Sequence, residues 1–206
     1  MNKINIKNKL LKNLSPKIKN LIETRLLEFQ RIKNSNNLIW FNELCFCLLT
    51  ANSKAETAIK IQIEMDKDGF IKKTETQIAR IIKKHGHRFH NTKAKYIAGA
   101  RKFLHIKDII EKMSDFEARE FLVQNIKGLG YKEASHFLRN VGYNNLAIID
   151  RHILKFLKKE NLIKEIPKTI NKKKYLEFEK ILGNFKIKQS KLDLIIWAQM
   201  TGKVLK

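Results

Sequence analysis

The sequence predicts an all-α fold, on three observations. Apolar residues recur at a spacing near 3.6 in most segments, and no alternating strand pattern persists. Helix breakers are also scarce, with two prolines and eight glycines in 206 residues. Ser15-Pro16 is a good N-cap followed by proline at the first helical position, so a helix is expected from Pro16 through Arg31. Asn34 to Asn37 reads as a loop. Leu38 to Leu49 is apolar on every side and is expected to form a central, buried helix. After a break at Thr50 to Ser53, Ala55, Ala58, Ile59, Ile61 and Met65 mark an amphipathic helix, and Asp66 to Phe70 a turn.

Thr74 with Gln77 matches a capping box and starts a helix running to Lys84, where Gly86 ends it. Thr92 to Phe103 is the next helix, and Ser114 caps another over Asp115 to Val123. Helices over Lys132 to Asn140, Arg151 to Lys159, Lys173 to Leu182 and Leu192 to Thr201 complete the pattern. Two of the connections are a turn at Gly142 to Asn145 and a linker at Lys168 to Lys172.

Composition narrows the function. A hydrophobic share of 43% supports a real core, and no apolar run approaches membrane-spanning length; the longest include Leu44 to Thr50. The basic N-terminal stretch lacks the apolar core of a signal peptide, so a soluble cytoplasmic protein is expected. The net charge of +23 and a pI near 10.0 point to a polyanionic partner, nucleic acid first. Base composition competes with this, since a chain rich in Ile and Asn gains Lys without selection for binding. Cys45 and Cys47 are the only cysteines. Two apart on a helix they face different sides, so buried free thiols are expected, and iron–sulfur and zinc-finger ligand sets are excluded.

The chemistry concentrates in residues 125 to 152, NIKGLGYKEASHFLRNVGYNNLAIIDRH. Helix, IKGLG, helix is the pattern of a helix-hairpin-helix. Gly128 and Gly130 are expected to take backbone angles closed to other residues and to let another chain approach. The amides opening the next helix, with its positive end, suit a phosphate; an ordinary packed hairpin is the plainer alternative. Lys132 lies in the first turn of that helix, where the dipole works against a cation. A free amine there can attack a sugar carbon and become a Schiff base. Asp150 follows an apolar link at another helix start, where a carboxylate can stabilise positive charge developing on a sugar. Taken singly, each has a bland reading, a solvent-facing lysine and an N-cap aspartate.

Taken in order, "IKGLGYKEA … IIDRH" resembles the hairpin, catalytic lysine and catalytic aspartate of the HhH-GPD superfamily of base-excision DNA glycosylases. "ELCFCLLTANSKAETAI", "GHRFHNTKAKYIAGAR" and "LDLIIWAQMTGKVLK" extend the likeness to the type-2, archaeal-type branch of 8-oxoguanine DNA glycosylases. The resemblance implies two helical lobes with a cleft between them, in a single catalytic unit. One lobe would span about residues 35–150, with the helix-hairpin-helix at 115–140, and the other residues 1–34 plus 151–206. It implies Lys132 as the nucleophile at C1′ and Asp150 as its assistant, with His152 near a DNA phosphate. Asn52 would enter the duplex where the base was extruded, and Phe89 and Trp197 would flank that base. Without the resemblance, core packing is the simpler reading of both aromatics. In this branch the carboxylate of a C-terminal lysine helps read the base edge, a role that falls on Lys206.

The implied activity is excision of 8-oxoguanine from double-stranded DNA followed by strand nicking, by a monomer on the nucleoid, without metal or other cofactor. The arginine that eukaryotic-type enzymes carry five residues after the asparagine is Thr57 here, which leaves a strict preference for an opposite cytosine unsupported. Lys132 argues against the monofunctional glycosylases of other damaged bases. The lack of four cysteines argues against the endonuclease III type. A non-enzymatic helix-hairpin-helix DNA-binding protein remains the rival of another class, since it needs the glycines and the charge but neither Lys132 nor Asp150.

Overall fold

The computed structural model describes residues 3–206. The described chain is helical and, among the described residues, contains no strand. The helices are α1 (Lys3–Lys12), α2 (Pro16–Lys33), α3 (Asn37–Thr50), α4 (Ala55–Met65), α5 (Gly69–Lys72), α6 (Glu75–Lys84) and α7 (His90–Ala100). A 3-10 turn, Arg101–Phe103, leads to α8 (Ile106–Ile110), α9 (Asp115–Asn125), α10 (Tyr131–Asn140), α11 (Arg151–Lys159), α12 (Lys172–Gly183) and α13 (Gln189–Thr201). None of these is long and apolar enough to cross a membrane.

The helix starts follow the local chemistry. Ser15 Oγ accepts from the Ile18 amide with Pro16 just inside α2, and complete capping boxes open α6 at Thr74 and α9 at Ser114. Three elements go beyond the periodicity. α5 and α8, at four and five residues, are too short to show a repeat, and α5 occupies part of the expected Asp66 to Phe70 turn. α1 is basic and interrupted by Asn, yet it buries Ile6 and Leu10 completely or nearly so. The helix expected over Thr92 to Phe103 begins earlier, at His90, and its last turn tightens to 3-10.

Buried side chains form two hydrophobic clusters. The first gathers residues between Trp40 and Leu146, with α3 at its centre. Every residue of α3 from Phe41 to Thr50 is buried except Asn42, as an all-round apolar helix requires. Trp40 sits edge-on to Phe137 and Tyr143, and its indole Nε1 donates to the Ile32 carbonyl at 2.9 Å. Cys45 and Cys47 are fully buried free thiols in this cluster. The second cluster gathers Ile6 to Phe29 of α1 and α2 with residues 147–196 of the link, α11, α12 and α13.

Polar groups tie the two clusters. Arg119 of α9 is 1% exposed and forks onto Glu179 of α12 at 2.7 and 2.8 Å, with Tyr131 and Tyr175 rings about its guanidinium. Glu179 also accepts from the Ala147 amide at 2.9 Å, so one carboxylate fixes α9, α12 and the link. Glu179→Ala would leave Arg119 a buried, unpaired cation, at an expected cost of about 3–5 kcal/mol in urea unfolding. Arg119→Met with Glu179→Leu should recover most of that loss, and a single variant with an unchanged urea midpoint would contradict the tie.

Candidate active site

α9, the turn and α10 form the expected helix-hairpin-helix. Gly128 has φ +96°, and a Cβ there would lie 2.3 Å from Tyr96 Cδ2, so both backbone and packing demand glycine. Gly130 differs from the sequence expectation. With φ −92° and ψ −177° it is extended backbone open to any residue, and a Cβ there would meet only the Glu133 carboxylate, at 3.3 Å, the end of a flexible side chain. No side chain caps α10. Its first amides and positive end therefore stay available to an anion at the turn.

Along α10, Lys132, His136 and Arg139 recur at helical spacing and line one wall of a cleft of about 940 Å³. Ala134, Phe137 and Leu138 turn into the first core instead. Lys132 is a third exposed at its side chain, and its Nζ stands 3.3 Å from Glu133 Oε1. It forms no ion pair with Asp150 in this state. Close by, Lys93 of α7 is 4% exposed, and burial lowers its affinity for a proton, with Lys132 adding to the effect and Glu133 opposing it. Burial holds the His136 ring well below the usual histidine range, and the neighbouring Arg139 and Lys132 charges reinforce that. A neutral imidazole results.

The facing wall comes from α11 and α13. Asp150 caps α11, its Oδ1 accepting from the Ile153 amide at 2.8 Å, and it lines the cleft together with His152. The N-cap and site readings of Asp150 thus hold at once. Trp197 also lines the cleft, half-buried, with the His152 ring edge-on at 5.7 Å. On the same helix, Asp193 pairs with Arg139, both of them buried. Burial pushes the Asp193 carboxyl up to about 6, against the pull of Arg139 and with the push of Asp150. Asn52, with φ 60°, stands exposed at the mouth, and Lys206 completes the lining.

The structure therefore brings together Lys132, Asp150, His152, Trp197, Asn52 and Lys206. Phe89 stands apart. It precedes the first turn of α7, 37% exposed, under the Arg88 guanidinium at 4.6 Å, and of this pair only Arg88 lines the cleft. Sequence reasoning missed His136, Arg139 and Asp193. The i, i+4, i+7 recurrence of Lys132, His136 and Arg139 was the available signal for the first two.

A helical fold with a hairpin beside a lysine-bearing cleft has counterparts among solved DNA glycosylases. The 3-methyladenine DNA glycosylase of H. pylori shares the fold alone, at TM-score 0.55 and 21% identity over 91% of this chain and 93% of that one. Residues 22–191 match the family described as 8-oxoguanine DNA glycosylase, and the chain belongs to that family. It is 54% identical over 194 residues to the 8-oxoguanine DNA glycosylase/AP lyase of Methanocaldococcus jannaschii, covering 92% of this chain and 93% of that protein. The crystal structure of that species' enzyme in complex with a 15mer DNA containing 8-oxoguanine superposes at TM-score 0.91 and 52% identity, over 99% and 98% of the two chains. The Thermotoga maritima 8-oxoguanine DNA glycosylase structure gives TM-score 0.91 at 40% identity, with both chains fully covered.

Two expectations follow. Gly128→Ala should destabilise the fold by at least about 1–2 kcal/mol from its left-handed backbone alone, whereas Gly130→Ala should stay within about 0.5 kcal/mol, both read as thermal midpoints. Equal effects would contradict the backbone assignment. An acid with a raised folded pKa contributes stability that is complete below its unfolded value and lost as pH rises through the folded one. Asp193 should thus titrate near 6 by carboxyl NMR, with stability falling between the ordinary aspartate range and that pH. A midpoint below the ordinary range would overturn the argument.

Proposed function

We propose that this chain excises 8-oxoguanine from double-stranded DNA and then nicks the strand as an AP lyase. The carrying observation is the convergence of Lys132, Asp150 and the half-buried Trp197 on one cleft, beside an uncapped hairpin turn. The 8-oxoguanine DNA glycosylase/AP lyase of M. jannaschii, and the 8-oxoguanine DNA in that species' solved complex, support the same reading.

On this reading the +23 charge draws the protein onto DNA, and the amides at Gly128 to Lys132 take a backbone phosphate. Residues about 35–150 form one lobe and 1–34 plus 151–206 the other, and the lesion base flips between them. The Lys132 amine attacks C1′, forming a C–N bond as the base leaves with the glycosidic electron pair. Asp150 stabilises the oxocarbenium-like charge and assists loss of the amine proton. Opening of the sugar ring gives an imine, loss of a C2′ proton expels the 3′ phosphate, and water then frees the lysine. Trp197 stacks on the extruded base, His152 contacts the DNA phosphate, and Asn52 fills the space left in the duplex. These steps draw on the protein's own side chains and involve no redox change. The protein works in the cytoplasm, on chromosomal DNA.

Borohydride should trap a covalent protein–DNA adduct from 8-oxoguanine and abasic duplexes. Lys132→Gln should abolish it, and trapping that survives this substitution would remove Lys132 as nucleophile. Asp150→Asn should bind duplex as well as the parent while excision falls by about 100-fold or more. A protein that binds DNA but yields no adduct from any of these substrates would instead be the non-enzymatic hairpin protein.

A further inference from the structure

The Lys206 side chain lines the cleft but ends on a carboxylate contributed by the opposite core. Glu43 lies in the middle of α3, 5% exposed, among apolar neighbours. A carboxylate in such a place is costly unless its oxygens are partnered. Its Oε1 receives Lys206 Nζ at 2.6 Å and Gln62 Nε2 at 3.2 Å, and its Oε2 receives Asn140 Nδ2 at 3.0 Å. Lys206 Nζ also donates to Gln62 Oε1 at 2.6 Å and rests 4.4 Å from the Phe46 ring centre. From Asn140 the chain of contacts continues, since its Oδ1 accepts from Arg139 Nη2 at 3.0 Å and Arg139 pairs with Asp193. One polar network thus runs from Lys206 through α3 and α10 to α13.

Nothing in the chemistry of Lys132 and Asp150 requires Glu43, and an apolar residue would suit α3 better. We propose that Glu43 is a positioning residue, acting through Lys206 to fix the wall of the cleft that receives the extruded base. The ammonium is held by a rigid helix of the first core, while the segment carrying it leaves α13 of the second. Glu43 therefore sets where that segment stands over the cleft. This rests on the cleft being the base pocket.

The test uses two duplexes, one with 8-oxoguanine and one with an abasic site, which places a sugar but no base in the cleft. For Glu43→Gln, kcat/KM for base excision should fall by about tenfold or more, while abasic nicking stays within about twofold of the parent. Glu43→Gln combined with Lys206→Met should be no worse than Lys206→Met alone, because both remove one interaction. A role in folding alone would lower both activities together, and that result overturns the proposal. So does normal excision by Glu43→Gln. If Glu43→Gln does not fold, Gln62→Leu removes a second anchor of Lys206 without stranding a charge, and it should show the same split in weaker form; equal loss on both duplexes would overturn the assignment. A parent protein that nicks abasic but never 8-oxoguanine duplex overturns the base-pocket reading itself, a result distinct from any difference between variants.

Discussion

Arg139 is the group on which the cleft depends. A guanidinium 5% exposed cannot stand alone in a protein interior, so whatever surrounds it is held in place by the need to pair it. Its partners come from separate parts of the fold: Asp193 of α13, Asn140 of its own helix and the Phe29 ring of α2. Because Asp193 and Trp197 are one helical turn apart, pairing Arg139 also fixes where Trp197 stands relative to Lys132. The two walls of the cleft are thereby locked by the Arg139–Asp193 pair.

The charge of the protein acts on two scales. At long range the surplus of lysine and arginine attracts DNA, an effect that salt screens beyond a Debye length. Within the cleft single neighbours decide instead. Lys132 rests against Glu133, with the buried Lys93 amine behind it, while Asp150 spends one oxygen on a helix end. Approach and chemistry thus draw on different residues, and a surface lysine can be lost without disturbing the constellation inside.

Much of this was legible in the sequence, for physical reasons. Capping boxes, the buried α3 and the hairpin are local: the residues that cause them lie within one turn of one another. Lys132, Asp150 and Trp197 could be picked out only through the order of motifs that carries the family resemblance, because taken singly each has a bland reading. Glu43 and Asp193 could not, since their meaning lies in partners far along the chain and a lone charged residue in an apolar helix carries no pointer to its mate. Gly130 illustrates a subtler limit, because a glycine in extended backbone looks the same in sequence as one that needs a positive φ. Phe89 illustrates another: the sequence identifies an aromatic near the site but not the direction of its side chain at the edge of α7.

Asn52 carries a consequence for how the cleft mouth can change. Its left-handed backbone, φ 60°, lies between the end of α3 and the start of α4, in a conformation that few residue types tolerate. Drift at this position is therefore confined by conformation before any contact with DNA is considered. Glycine, aspartate and asparagine can follow the chain there, and β-branched residues cannot. Of those three, only asparagine offers both a donor and an acceptor at the end of its side chain. The loop geometry has already narrowed the choice that selection on DNA binding would make.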